Sequence, residues 1–328
     1  MIQTDTNYML PYRPRRLRKN VFLRNLVKET ELNIKNFIYP IFIVEGENVE
    51  QEIQSLPGLY RYSKDKVAEE VKRAVQDGIQ GVLLFGIPDK KDEMASSAYD
   101  ENGVVQQAVK AIKNAVPDIL VITDVCLCEY TNHGHCGIVK DGQVLNDESL
   151  SLIAKTALSQ VQAGADMVAP SDMMDGRVGV IRETLDDAGY SDIPIMSYSA
   201  KYASALYNPF REAANNAPHF GDRLSYQLDP ANAKEALREV ELDMEEGADI
   251  IMIKPAIGYL DIIYRVKETF NCPVAAYSVS GEYAIVKAAV KQGLLDEKRT
   301  VLEFMTGIKR AGADIIITYY ARQIAKWL

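Results

Sequence analysis

Cysteine and histidine are scarce in this chain, with four Cys and three His in 328 residues. Four cysteines are too few for a disulfide framework, and a chain of this length buries a large core without one. No apolar run reaches the roughly 20 residues of a membrane span, and the first residues lack the apolar core of a secretory signal. These absences predict a cytoplasmic protein with reduced thiols and no membrane partner. Positive charge is also short, with 37 Lys and Arg against 46 Asp and Glu and a net charge of −9. That balance argues against a nucleic-acid partner. A G-x-G-x-x-G turn after the first apolar run is missing too, which removes the main support for a doubly wound dinucleotide fold.

Short apolar runs are plentiful. Eight read as buried parallel strands: 37–46, 81–88, 118–127, 165–172, 193–201, 248–256, 272–281 and 313–321. They are near-continuous rather than alternating, as strands covered on both faces must be. Helical patterns separate most of them. One opens at Ser63 and ends at Gly78, and another runs from Asp229 or Pro230 to Gly247. Gly-Ala-Asp recurs at Gly164, Gly247 and Gly312, each time between a helical pattern and an apolar run. A helix C-cap glycine leading straight into a strand explains that recurrence. The expected fold is an α/β (β/α)8 TIM barrel over residues 36–328, preceded by an extended arm of residues 1–35. The stretch "YRPRRLRKNVFLRNLV" (12–27) is basic and apolar together. A targeting segment, a nucleic-acid arm and a subunit-contact arm compete for it. Subunit contact is preferred, because the rest of the chain is acidic and Val21, Phe22, Leu23 and Leu26 need cover.

A TIM barrel gathers its reactive groups at the C-terminal ends of its strands. At those ends stand Asp124, Cys126 and Cys128, then Ser171 and Asp172, Lys201, Lys254, Ser278 and Ser280, and Tyr319. Three of the four cysteines and two of the three histidines fall in "DVCLCEYTNHGHCG" (124–137). Cys126, Cys128 and Cys136 offer three thiolates to a zinc ion, leaving a fourth position for water or substrate. Gly134 provides the turn that returns Cys136 to the pair, and an extended C-x-C puts both thiols on one side. Inert buried thiols are the competing interpretation. His133 and His135 are read as a possible outer-shell partner or as plain loop residues. A lysine at the end of a buried strand is a candidate nucleophilic amine, since burial or a second cation lowers its pKa. Lys201 and Lys254 are two such residues on successive strands, although a strand-end lysine with its amine in solvent is the commoner case.

These residues resemble the porphobilinogen synthase family, also called 5-aminolevulinic acid dehydratases. The resemblance lies in "DVCLCEYTNHGHCG", "VAPSDMMDGRVGVIRETLD", "SYSAKYASALYNPFREA", "SYQLDPANAKEALREVELDMEEGADIIMIKPA", "AAYSVSGEYAIVKAA" and "RPRRLRKN". It implies the condensation of two 5-aminolevulinate molecules to porphobilinogen with loss of water, in tetrapyrrole (heme and chlorophyll) biosynthesis. By motif, Lys254 and Lys201 are the two Schiff-base lysines, and Asp124 orders the site and handles protons. Arg211 and Arg223 bind one substrate carboxylate from a lid around 202–230, Ser280 and Tyr319 bind the other, and Gln227 adds a polar contact. The three cysteines imply zinc where other members carry aspartates and Mg²⁺. Glu239 stands at the position of a ligand to a separate allosteric Mg²⁺. The arm would wrap a partner subunit in a homo-oligomer, usually an octamer. The alternatives are a Schiff-base aldolase-type lyase, which needs one lysine and no thiolate cluster, and a non-catalytic zinc scaffold.

Overall fold

The computed structural model describes residues 11–328. The expected arm begins ten residues earlier, outside the described residues. The chain divides into two compact units between Glu31 and Leu32, four residues before the expected boundary. The first unit holds a 3-10 turn at Pro14–Arg18 and a short helix at Val21–Leu26. The Asn20 side chain caps that helix by accepting from the Leu23 N–H at 2.9 Å. None of the residues described in this unit is buried, and Tyr12, Phe22 and Leu26 are each more than 80% exposed within the chain.

The second unit is a parallel barrel. Its strands are β1 (Phe37–Val44), β2 (Gly81–Ile87), β3 (Leu120–Val125), β4 (Met167–Pro170), β5 (Met196–Lys201), β6 (Ile250–Lys254), β7 (Val274–Ser278) and β8 (Ile315–Thr318). Each lies inside one of the eight apolar runs. Parallel pairing runs β4-β3-β2-β1-β8-β7-β6-β5. The ring is completed where the Val168 N–H donates to Pro194 O at 3.2 Å. Nearly every strand position is buried, because the barrel interior takes one face and helices take the other. The principal helices are α1 (Lys64–Gln76), α2 (Val104–Ala115), α3 (Asn146–Gln162), α4 (Arg177–Asp187), α5 (Asn208–Ala213), α6 (Lys234–Glu245), α7 (Leu260–Thr269), α8 (Ser280–Lys291), α9 (Glu297–Ala311) and α10 (Ala321–Trp327).

The Gly-Ala-Asp repeat has a structural meaning. Gly164, Gly247 and Gly312 all have positive φ, so a side chain there would be strained. Each following aspartate clasps the start of the neighbouring strand. Asp166 Oδ2 accepts from Val121 N–H at 2.7 Å, Asp249 Oδ2 from Ile195 N–H at 2.8 Å, and Asp314 Oδ2 from Val274 N–H at 2.9 Å. The aspartate N–H donates back to Val121, Ile195 and Val274 O in turn. One device thus recurs at the N-terminal end of the barrel, opposite the end where the strands finish.

Two details differ from expectation. Helix α6 begins at Lys234, not at Asp229 or Pro230. Asp229 instead closes a tight turn, its Oδ1 accepting from Ala231 N–H and its carbonyl from Asn232 N–H, which competes with helix initiation. The strands also stop at Val125, and Cys126 and Cys128 lie in the turn beyond it. The segment is turned rather than extended, with the Tyr130 and Thr131 N–H groups both returning to Leu127 O, and the two sulfurs still lie 3.2 Å apart.

Candidate active site

Lys201 and Lys254 end β5 and β6, and the two residues stand opposite one another in the ladder. The register shifts between Ile251 and Ile253, and that irregularity precedes the pairing. Both side chains are buried. The Lys254 amine sits among four rings, 4.6 Å from the centre of Tyr277, 4.9 Å from Tyr198, 5.2 Å from Phe210 and 5.3 Å from Tyr207. Its backbone carbonyl accepts from Tyr202 N–H at 2.9 Å and from the Tyr207 hydroxyl at 3.1 Å. Burial, and then the neighbouring Lys201 ammonium, pull the Lys254 pKa down to about 7. Lys201 goes the other way. Burial lowers it, but the sulfurs of Cys136, Cys126 and Cys128 and the Asp124 carboxylate outweigh burial and hold it above the ordinary lysine value. Its amine donates to Ser171 O. The site therefore holds one amine that is readily neutral and one that releases its proton less easily, two unlike amines set by their surroundings.

Asp124 faces both amines. Its Oδ2 accepts from the Ser171 hydroxyl at 3.1 Å, and its buried Oδ1 has no partner. Burial, then the Glu129 carboxylate, raise its pKa to about 7, against the pull of the two lysines. A carboxyl group poised there exchanges protons near neutral pH.

The ligand atoms of Cys126, Cys128 and Cys136 all lie within 4.8 Å of one another, and all three residues are buried. Cys126 and Cys128 sulfurs are 3.2 Å apart. Burial pushes both of these thiols well up, whereas hydrogen bonds from them hold Cys136 well below the usual thiol range. Gly134, at φ +75°, makes the turn before Cys136, and a Cβ there would meet Ala217 O at 2.5 Å. A second trio, Asp124, Cys126 and Glu129, is equally close. Neither histidine belongs to either trio. His135 instead pairs with the Tyr226 hydroxyl and with Phe220 O, each at 3.0 Å, and His133 Nδ1 accepts from the His135 N–H.

The segment 202–230 covers this mouth, and it contains a 3-10 turn at Ala205–Tyr207 and helix α5. A small cavity of about 20 Å³ is lined by Lys201, Lys254, Arg211, Arg223, Cys128 and Glu129, with Ser171 and three aromatic rings. Arg223 is buried and donates to Gly134 O at 2.9 Å and Asn216 O at 2.8 Å, while its Nε has no partner. Arg211 Nε is likewise unpartnered. Gln227, Ser280, Tyr319 and Glu239 do not line this cavity. The Ser280 hydroxyl accepts from Phe210 N–H at 3.0 Å and donates to Leu206 O at 3.2 Å, so it grips α5. The Tyr319 and Tyr277 hydroxyls are 3.1 Å apart. Gln227 has both side-chain polar atoms buried and unpartnered. It lines a separate polar pocket with Glu239, Glu235, Asp175, Asn146 and Tyr226.

Sequence reasoning missed Glu129, Asn216 and the aromatic box around Lys254. Glu129 lies inside the cysteine segment, directly after Cys128, and that adjacency was its only signal. Asn216 and Phe210 reach the site from the irregular segment, where no periodicity marks an inward side chain.

The model of the family described as delta-aminolevulinic acid dehydratase matches residues 11–327. The chain belongs to that family. Among its relatives, the delta-aminolevulinic acid dehydratase of Synechococcus elongatus is 57% identical over 321 residues, covering 97% of this chain and 98% of that one. The Bacillus subtilis enzyme of the same name is 55% identical, covering 96% and 98%. A crystal structure of delta-aminolevulinic acid dehydratase (porphobilinogen synthase) from Toxoplasma gondii, in complex with the reaction product porphobilinogen, superposes with a TM-score of 0.95 at 44% identity. It covers 98% of this chain and 92% of that one. Membership in the dehydratase family decides against the one-lysine aldolase and the non-catalytic scaffold.

Proposed function

We infer that this protein is a porphobilinogen synthase, a lyase that condenses two molecules of 5-aminolevulinate to porphobilinogen with loss of water in porphyrin biosynthesis. The observation that carries the mechanism is the pairing of Lys201 and Lys254, two buried amines in register at the barrel mouth. Each amine attacks the ketone of one substrate, expels water and forms a protonated imine. Fixing two substrates on adjacent strands turns a bimolecular coupling into an intramolecular one. Lys254 is the better initial nucleophile because its amine is neutral at lower pH. Asp124 supplies and removes protons. Arg211 and Arg223 take one substrate carboxylate, in keeping with their unpartnered guanidinium nitrogens. Ser280 and Tyr319 take the carboxylate of the other, with Ser280 exchanging its present grip on α5, and Gln227 adds a polar contact. The segment 202–230 serves as the lid.

Three buried sulfurs this close form a soft donor set that suits Zn²⁺ and is poor for Mg²⁺. Cys126, Cys128 and Cys136 would hold the ion, which would supply Lewis-acid chemistry to the amino group or water at the second substrate position. Glu239 is the proposed ligand of a second, allosteric Mg²⁺. Support for it is the carboxylate-lined pocket that Glu239 shares with Glu235 and Asp175. Glu239 belongs to neither of the close ligand trios among the described residues, so water would complete its coordination. The basic arm is assigned to contacts within a homo-oligomer. Among the described residues no helix is long and apolar enough to cross a membrane. A cytoplasmic site of action is proposed from the reduced thiols that this chemistry needs.

The deciding experiment is pyrrole formation from 5-aminolevulinate by chelator-stripped protein, with Zn²⁺ and Mg²⁺ returned separately. Restoration by Zn²⁺ is expected. Restoration by Mg²⁺ alone would remove the cysteines from the mechanism, and absence of pyrrole with either would overturn the synthase assignment.

A further inference from the structure

Asn216 belongs to the lid, yet its side chain reaches the thiol cluster. Its Nδ2 donates to Cys128 Sγ at 3.2 Å and to Glu129 Oε1 at 2.8 Å. Its backbone carbonyl accepts from Arg223 at 2.8 Å, and the same guanidinium nitrogen donates to Gly134 O in the cysteine turn. Asn216 is buried, and its Oδ1 has no partner. An amide held inside the protein with one end unsatisfied is costly unless its other end has a task. Here the donor end touches a candidate metal ligand, and the backbone touches a candidate substrate-binding arginine.

We propose that Asn216 is a positioning residue that couples closure of the lid to occupancy of the thiolate site. The proposal rests on the metal reading given above. Coordination would hold Cys128 Sγ in place and, through Cys136, the turn at 131–136. That turn is the docking surface of the lid: His133 O accepts from His219 N–H at 3.0 Å, and His135 pairs with Tyr226 and Phe220. A fixed sulfur is a defined acceptor for the Asn216 amide, and a wandering one is not. Coupling of this kind is reciprocal, so a docked lid must tighten metal binding by the factor that metal favours docking. Outer-shell partners of metal ligands commonly contribute about 10- to 100-fold in affinity.

The test uses full-length, chelator-stripped protein titrated with Co²⁺, whose thiolate complexes absorb visibly. Lid docking is read in parallel as the rate of chymotrypsin cleavage at the exposed Phe220 and Leu224. Wild type is expected to show a thiolate-to-cobalt band and slower cleavage once Co²⁺ is bound. Asn216→Ala keeps all three sulfurs, so it should still give the band. Its Co²⁺ affinity should fall about 10- to 100-fold, and saturating Co²⁺ should no longer slow cleavage. Asn216→Asp sets a carboxylate against Glu129 and should lose the coupling as well, and Asn216→Ser is read in the same way if the alanine variant does not fold. Variants that bind Co²⁺ as tightly as wild type and keep the metal-dependent protection would overturn the proposal while leaving the synthase reading intact. A wild type without the cobalt–thiolate band would instead remove the metal reading itself, and this coupling with it.

Discussion

At the residue scale the proposed chemistry draws on two lysines with unlike surroundings. Lys254 is pulled down to about 7 by burial and by Lys201, whereas the sulfurs keep Lys201 above its ordinary value. An amine attacks only when deprotonated, and the fraction of free Lys254 amine rises as pH rises through its pKa. Borohydride trapping of 5-aminolevulinate on Lys254 should therefore fall about tenfold for each pH unit below about 7 and level off above it. A Lys201→Met variant loses the neighbouring cation, so the midpoint should move up in pH. An unmoved midpoint would show that burial alone sets it. Asp124 offers a second check. Asp124→Asn preserves the size and the bond with Ser171 but cannot ionise, and kcat should drop by about 10²–10⁴ with a smaller change in KM. These two residue types were legible before the fold was known, because a charged group ending an apolar run is conspicuous. The ring box around Lys254 was not legible, since Tyr198 and Tyr277 look like ordinary core aromatics until their distances to the amine are measured.

At the element scale, the strands were the most legible feature. Both faces of each are covered, so the apolar runs are unbroken, and a run cannot continue once the chain leaves the barrel. The irregular segment was the least legible. Helix α5 and Asn216 gain their places from contacts with α8 and with the cysteine turn, and contacts between distant segments leave no local period. The repeated Gly-Ala-Asp junction lies between these cases. Its glycine was readable as a helix end, but the reciprocal clasp from aspartate to the neighbouring strand was not. That clasp predicts a separation of stability from catalysis. Asp166 joins β3 to β4 at the end of the barrel away from the lysines, and it also meets Lys113 at 2.7 Å. Asp166→Ala should lower unfolding free energy by about 1 kcal/mol, the net worth of a hydrogen bond to a partly solvated group. Its kcat and KM for 5-aminolevulinate should remain those of wild type. Denaturant unfolding and steady-state kinetics on one preparation check both halves, and a large kinetic defect would mean that the two ends of the barrel communicate.

At the scale of the whole molecule, charge is unevenly placed. Residues 1–31 carry seven Lys and Arg against three Asp and Glu, a net of +4, so the remaining residues carry −13. The described part of that segment also leaves Tyr12, Leu17, Phe22 and Leu26 more than half exposed within a single chain. Scattered apolar side chains on a surface are ordinary, but four in so short a basic stretch ask for cover. An acidic neighbouring protomer would supply both the cover and the opposite charge. Such a contact cannot be read from one sequence, since no residue pattern records which surface of a second copy it meets. It has a direct test in solution. Full-length protein should scatter light as a homo-oligomer. Protein lacking residues 1–31 should have a smaller mass, and so should a full-length Phe22→Glu, Leu26→Glu variant. The truncation removes both charge and apolar surface, whereas the double substitution keeps the chain length and opposes the acidic partner. If only the truncation reduced the mass, the contact would run through the arginines and the backbone. If neither did, the barrel surfaces would carry the assembly and the arm would need another role.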